Sequence, residues 1–213
     1  MLEIIAHHRS SLPHHQEEEQ ILSINWRLAY TLPRVLNDIL QELQDLRDEH
    51  SDNNFSPDGD NPYRQRYAIL RMLYDETLAR HPHPDVDLAT PMLAPIVTNS
   101  IKFYDRKMYI LHAYCIMPNH LHLLIKPIKD ASGRYSLCSD IVKRIKSYSA
   151  KEINKLLGRC GELWDHEYYD RYIRNPADYN RTVEYILNNP LKAGLVNTRE
   201  KWPYSYFYPE ALC

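Results

Sequence analysis

Apolar residues along this chain recur with two different periods, and each change of period marks a new element. Residues Ile21 to Tyr30 are rich in branched and aromatic side chains and predict a strand. Leu32-Pro33 breaks it, and Val35, Leu36, Ile39, Leu40, Leu43 and Leu46 then fall at helical spacing. Further helices are predicted over residues 63–80 and 92–104. Met108 to Met117 is a long apolar run that predicts a buried strand. Pro118-Asn119 turns the chain, and His120 to Lys126 returns as the second arm of a hairpin. Residues 139–157 form an amphipathic helix with Ser139 as N-cap and Ile141, Val142, Ile145, Ile153, Leu156 and Leu157 on one stripe. Leu163 to Arg174 is strand-like, and Asn175-Pro176 opens a last helix. That helix is expected to stop near Asn188, because the residue before Pro190 is pushed out of the helical region.

The order is strand, helices, strand, strand, helix, strand, helix. It predicts an α+β fold, a ferredoxin-like β-α-β-β-α-β sandwich with extra helices in the N-terminal half and one added C-terminal helix. With 213 residues, one domain over 21–213 is expected after a poorly ordered tail over 1–20. Loop-rich insertions are expected around 51–62, which is polar with Pro and Gly, and around the proline-rich 81–91. His81 and His83 in the second of these read as surface residues.

Composition narrows the function classes. Hydrophobic residues make up 44% and charged residues 25% of the chain, as in ordinary globular proteins. No apolar run approaches 18 residues, so no membrane partner is expected. Residues 1–20 hold four histidines and Glu17-Glu18-Glu19 but no apolar signal core, which points to the cytosol. Cys115, Cys138, Cys160 and Cys213 lie far apart without a C-x-x-C pair, so neither a zinc ribbon nor a disulfide framework is encoded. The net charge of −2 conceals an asymmetry. Residues 1–100 hold 8 Lys and Arg against 16 Asp and Glu, whereas residues 101–213 hold 18 against 12, a balance of +6. Cations that replace counterions suit nucleic acid, and the interleaved tyrosines suit stacking on unpaired bases. A mildly basic surface with scattered tyrosines has the same composition.

Three constellations carry candidate chemistry. On a strand, His120 and His122 share one face while Leu121, Leu123 and Ile125 share the other. Two imidazoles rooted about 7 Å apart can converge on one metal ion, and the same pattern suits two surface histidines on a half-exposed strand. On the last helix, Tyr179, Val183, Ile186 and Leu187 form the apolar stripe, and Tyr185 lies roughly opposite Val183 with Asp178 and Arg181 on its side. Asn189 follows one turn later, as a hard oxygen ligand or a helix cap. Tyr148 is the competing tyrosine, at the edge of an apolar stripe near Arg144, Lys151 and Lys155. The third constellation runs from Trp164 to Arg174, where Trp164, His166, Tyr168, Tyr172 and Arg174 alternate onto one side. It reads equally as a base-stacking platform or as a core strand with a polar edge.

These residues resemble a known family. His120-Leu121-His122 after Met117-Pro118-Asn119 looks like the histidine-hydrophobe-histidine (HUH) motif of single-strand DNA transposases with one catalytic tyrosine. Leu163-Trp164, Tyr168-Tyr169-Asp170-Arg171, Tyr185 to Pro190 (YILNNP) and Lys192 to Val196 (KAGLV) look like the REP-associated tyrosine transposases. Trp26-Arg27-Leu28 with Leu32-Pro33 fits that family's first strand. The resemblance covers about residues 21–206. It implies the ferredoxin-like fold, Tyr185 as the nucleophile, and Asn189 as a third metal ligand beside His120 and His122.

The expectation is therefore a metal-dependent endonuclease and strand transferase for single-stranded or hairpin DNA. It would use Mg²⁺ or Mn²⁺, a 5′-phosphotyrosine intermediate and no nucleotide cofactor, as a monomer or weak dimer. Candidate DNA contacts are Tyr148, Arg144, Lys151, Trp164, Tyr168, Arg171, Arg174 and Arg181. Two rivals remain from the residues themselves. One is a catalytically silent DNA-binding protein of the same fold. The other is a zinc-dependent hydrolase in which His112 or His166 joins the two strand histidines.

Overall fold

The computed structural model of the chain describes residues 4–9, 13–17, 20–48 and 62–208. Five strands form its central sheet: β3 (Leu22–Arg27), β4 (Tyr109–Ile116), β5 (His120–Pro127), β6 (Tyr169–Tyr172) and β7 (Ser205–Phe207). Their order is β6-β3-β5-β4-β7, and every neighbouring pair is antiparallel. The first four reproduce the strand order of a ferredoxin-like sheet, as the element order predicts. β7 is an addition at the β4 edge, three residues long and too short for periodicity to reveal. Two further strands, β1 (Ile4–Arg9) and β2 (Pro13–Glu17), pair as a separate ribbon within the segment expected to be a tail.

Each face of the sheet has its own cover. α3 (Ala94–Tyr104) and α4 (Cys138–Leu157) place Val97, Ile101, Ile141, Val142, Ile145 and Ile153 on Leu22, Ile24, Leu121, Leu123 and Ile125. α5 (Pro176–Lys192) covers the opposite face, with Tyr179, Val183 and Ile186 on Ala113, Cys115, Met117 and Leu124. α1 (Arg34–Asp48) and α2 (Pro62–Ala79) pair through Leu36, Ile39, Leu43 and Leu46 against Leu70, Tyr74 and Leu78. Residues 49–61, most of the first expected insertion, lie outside the described residues.

Several sequence expectations need correction. α4 begins at Cys138, and its N-cap is Leu137 without a side-chain bond, so Ser139 is not the cap. Only residues 169–172 of the expected 163–174 strand join the ladder, and Trp164 makes an isolated bridge to Leu28. Between them the backbone curls. The Asp165 side chain accepts from Glu167 N, and Lys146 Nζ donates to the carbonyls of Asp165, His166 and Glu167. Three successive carbonyls turned to one ammonium cannot also serve a ladder. α5 has the expected Asn175 cap, whose side chain accepts from Asp178 N at 2.8 Å. It runs through Pro190 to Lys192 rather than stopping at Asn188. The 81–91 connector is not a surface loop. Val86 and Leu88 are buried, Leu88 N donates to Pro118 O, and the buried His83 accepts from Asp85 N and Val86 N.

β4 carries a bulge. Leu111 pairs with Ile125 and Ala113 with Leu124, so His112 is the extra residue. Tyr109, Leu111, Tyr114 and Ile116 consequently all serve the α3–α4 core, while Ala113, Cys115 and Met117 serve the α5 core. The buried His112 ring meets Tyr179, with Nδ1 3.0 Å from its hydroxyl. Burial, aided by the charges of Lys126 and Arg106, pulls this imidazole down to about 4 from 6.5. Between those pH values the unfolded chain binds the extra proton. The stabilising contribution is complete above about pH 6.5 and drains away as the pH falls toward 4. Urea unfolding at about pH 7 and about pH 4.5 is expected to show an acid loss that His112→Gln reduces by about 2 kcal/mol. An identical pH dependence in that variant would contradict the assignment.

Candidate active site

The site begins at the turn between β4 and β5. Asn119 is fully buried. Its Nδ2 lies 2.9 Å from the Tyr30 hydroxyl, 2.8 Å from Leu78 O and 2.9 Å from His81 O. Three oxygen neighbours identify that end as the amide donor, so Oδ1 is the acceptor, and it lies 2.7 Å from His120 Nδ1. His120 therefore carries its proton on Nδ1 and presents a lone pair at Nε2.

His120 and His122 share a face as the alternation predicts, with ring centroids 4.9 Å apart. They are not surface histidines, because α5 and the α1–α2 pair leave each no more than 3% exposed. Burial lowers both imidazoles, His120 to about 3, so both are neutral near pH 7. The Nε2 atoms of both are buried without a hydrogen-bond partner. Unpartnered polar atoms are costly inside a protein. Two neutral imidazole nitrogens in that state fit a divalent cation. Among the described residues, no group of three His, Cys, Asp or Glu is placed to hold a metal. A third protein ligand would therefore come from another residue type, such as an amide.

α5 brings Tyr185 to these histidines. Its ring stands edge-on to His122 with centroids 5.8 Å apart, and Lys192 Nζ lies 4.8 Å above it. The phenol is not open to solvent as a position on a polar helix face would suggest. Its hydroxyl donates to Asp75 Oδ2 at 2.5 Å. Burial and then the Asp75 charge push its ionisation well above the ordinary value. Asn189 follows one turn later because the helix persists through Pro190. Its Nδ2 donates to Tyr185 O at 2.8 Å, which leaves Oδ1 as the side chain's acceptor.

Sequence reasoning misses α2's part in the site. Asp75 is 3% exposed, and its Oδ1 lies 3.5 Å from Arg71 Nη2. Burial alone would raise this carboxyl, but Arg71 overrides it and keeps the group below its usual range. Arg71 also donates to Asn25 Oδ1 at 2.8 Å and lies 4.2 Å over the Tyr169 ring. The available signal is an Arg-x-x-x-Asp pair beside the buried positions Leu70, Tyr74 and Leu78.

The remaining candidates do not converge here. Arg144, Tyr148 and Lys151 are exposed on α4, on the opposite side of the sheet from the histidines. Trp164 is a core residue rather than a stacking platform. It is 6% exposed, donates to Ser149 Oγ at 2.9 Å and meets Trp26 edge-on. Tyr168 packs against the same core. Arg171, Arg174 and Arg181 surround Asp178, and Arg171, which also bonds Thr182, fastens β6 to α5, while Arg181 pairs within α5 and is exposed. The zinc-hydrolase set does not form among the described residues, where no three His, Cys, Asp or Glu gather: His112 meets Tyr179, and His166 pairs with Glu162 at the surface.

Asn119→Ala would leave the buried His120 N–H without an acceptor and take one donor each from Leu78 O, which keeps His81 N, and His81 O, which keeps the Tyr30 hydroxyl. The expected cost is about 3 kcal/mol in urea unfolding. A loss below about 1 kcal/mol would show that the amide is dispensable.

Comparison with known proteins places these residues. Residues 94–189 match the family described as Transposase IS200 like, a span that holds His120, His122, Tyr185 and Asn189 but neither Asp75 nor Arg71. An Escherichia coli K12 REP-associated tyrosine transposase is 29% identical over 114 residues, covering 51% of this chain and 60% of the relative. A Haemophilus influenzae protein with the provisional name REP-associated tyrosine transposase is 29% identical over 102 residues, covering 45% and 57%. The chain thus spans less than two thirds of the length of these relatives. A solved REP-associated tyrosine transposase bound to a REP hairpin superposes with a TM-score of 0.51 at 15% identity, covering 92% of this chain and 81% of that one. That last likeness concerns the fold alone. The resemblance seen in the motifs is borne out: part of this chain matches the IS200-like transposase family, the chain is similar in sequence to REP-associated tyrosine transposases, and it has the fold of one of them.

Proposed function

We propose that the chain nicks and joins single-stranded DNA at hairpins, using Tyr185 as the nucleophile and a divalent cation. The carrying observation is the pair of buried, neutral imidazoles with unpartnered Nε2 atoms, of which His122 meets the Tyr185 ring edge-on. His120, His122 and Asn189 would hold Mg²⁺ or Mn²⁺, and the mixed nitrogen and oxygen donors suit Mn²⁺ especially. When bound, such an ion neutralises charge on a scissile phosphate. The chain's own residues do the rest. His120 is held in one tautomer by Asn119, and His122 is held by the sheet. The Tyr185 hydroxyl attacks phosphorus and displaces the 3′-oxygen. The resulting 5′-phosphotyrosine conserves the phosphodiester linkage, so rejoining needs no nucleotide cofactor.

The DNA partner is supported by the relative bound to a REP hairpin and by the +6 balance of residues 101–213. The exposed Arg144, Tyr148 and Lys151 on α4 would meet phosphates away from the cleavage point. Tyr148 is 48% exposed on the far layer, so the hydroxyl beside the histidines belongs to Tyr185.

Two outcomes test this reading. With a 3′-labelled single-stranded hairpin and Mn²⁺, a covalent protein–DNA adduct is expected, and EDTA should abolish it. Tyr185→Phe should eliminate the adduct while retaining DNA binding, whereas Tyr148→Phe should keep it. An adduct mapped to the Tyr148 peptide would move the nucleophile to α4. Separately, gel shifts should show tighter binding to the hairpin than to a plain duplex of equal length. Affinity should fall several-fold or more between 50 and 200 mM salt, on the order of the counterion effect. Equal affinity for the duplex would remove single-strand preference from the proposal.

A further inference from the structure

We propose that Asp75, on a helix outside the family-matched span, is a catalytic residue that holds the Tyr185 hydroxyl and takes its proton as that oxygen attacks. The inference rests on Tyr185 being the nucleophile. Its basis is a division of labour between two oxygens. Asp75 Oδ1 faces Arg71 at 3.5 Å, while Oδ2 accepts from the Tyr185 hydroxyl at 2.5 Å. A carboxylate present only to balance Arg71 has no need to reach a tyrosine 110 positions away.

The surroundings leave this role to Asp75. His120 and His122, whose rings meet edge-on, have unpartnered Nε2 atoms that the proposed cation would occupy. Arg71 is fixed by Asn25 and stacked on Tyr169, so it holds the carboxylate in place and ionised at rest. The Tyr185 hydroxyl already points its proton at Oδ2. Its proton must leave as the bond to phosphorus forms, and a carboxylate within hydrogen-bond reach can receive it. The step balances. The bond from Tyr185 Oη to phosphorus forms, the bond from phosphorus to O3′ breaks, the Oη proton passes to Asp75 Oδ2, and O3′ takes a proton from water, whose hydroxide the solvent buffer neutralises. Rejoining reverses each transfer, and Oδ2 returns its proton to Oη.

The test uses the full chain, Mn²⁺ and the 3′-labelled hairpin. It measures single-turnover adduct formation and, independently, DNA affinity by gel shift. Asp75→Asn is expected to keep affinity within about twofold and slow adduct formation about 10²–10³-fold. Asp75→Glu should be at least about tenfold faster than Asp75→Asn, since it restores a carboxylate. If Asp75→Asn does not fold by circular dichroism, the double variant Arg71→Gln/Asp75→Asn removes both charges together and is held to the same criterion. Adduct formation by Asp75→Asn or the double variant within about threefold of the unaltered chain overturns the proposal, as does an Asp75→Glu chain no faster than Asp75→Asn. Adduct in the unaltered chain and in Asp75→Asn alike defeats this inference alone. No adduct in the unaltered chain defeats it together with the assignment of Tyr185.

Discussion

One buried amide sets the geometry of this molecule's centre. Asn119 sits at the turn joining the two middle strands and bonds to oxygens of Tyr30, Leu78 and His81. Leu78 lies on the same helix as Asp75, less than one turn further along. The amide therefore ties the end of β4, the start of β5 and the end of α2 into one unit. The same group fixes the proton on His120. A metal-ligating histidine commonly relies on a partner for its free nitrogen. Here the amide that bonds His120 Nδ1 also anchors the helix that carries Asp75.

The sheet is covered on both sides, so His120, His122 and Asp75 are buried, and burial governs their chemistry. Neutral imidazoles tolerate such a place, whereas an isolated carboxylate does not. Asp75 stays charged because Arg71 shares its burial, and Arg71 is satisfied by Asn25 and by the Tyr169 ring. A buried pair of this kind is sensitive to losing either partner. The Tyr185 hydroxyl belongs to the same network, which makes the reactivity of the phenol a property of four elements rather than of α5 alone.

The sequence displayed some of this and concealed the rest. His-Leu-His is legible because alternation on a strand puts both imidazoles on one face whatever the tertiary structure. The Asn175-Pro176 start of α5 is legible because capping is local. Burial of the histidines is not, since it depends on α5 and on α1–α2, which arrive from opposite ends of the chain. Asp75 and Arg71 escape notice because two polar residues next to an apolar stripe look like its solvent edge until a second helix closes over them. Trp164 is a core residue and Arg171 an ion-pair partner of Asp178 for the related reason that aromatic and basic residues also build cores and staples. Pro190 misleads because the preference against helix before proline is a bias. Asn189 bonds the Tyr185 carbonyl with its own side chain, and the helix continues.

The bulge at His112 has a consequence for how the hairpin tolerates change in length. Ordinarily a one-residue deletion in a strand exchanges its two faces along the whole of one arm. In β4 the extra residue lies between the outer end of the hairpin and the site end. A chain lacking one residue there could close the ladder by losing the bulge, with Cys115 still opposite His122 and Ile116 opposite Leu121. The spare residue acts as slack in the register, and it separates the alignment of the histidines from length variation at the far end of the sheet.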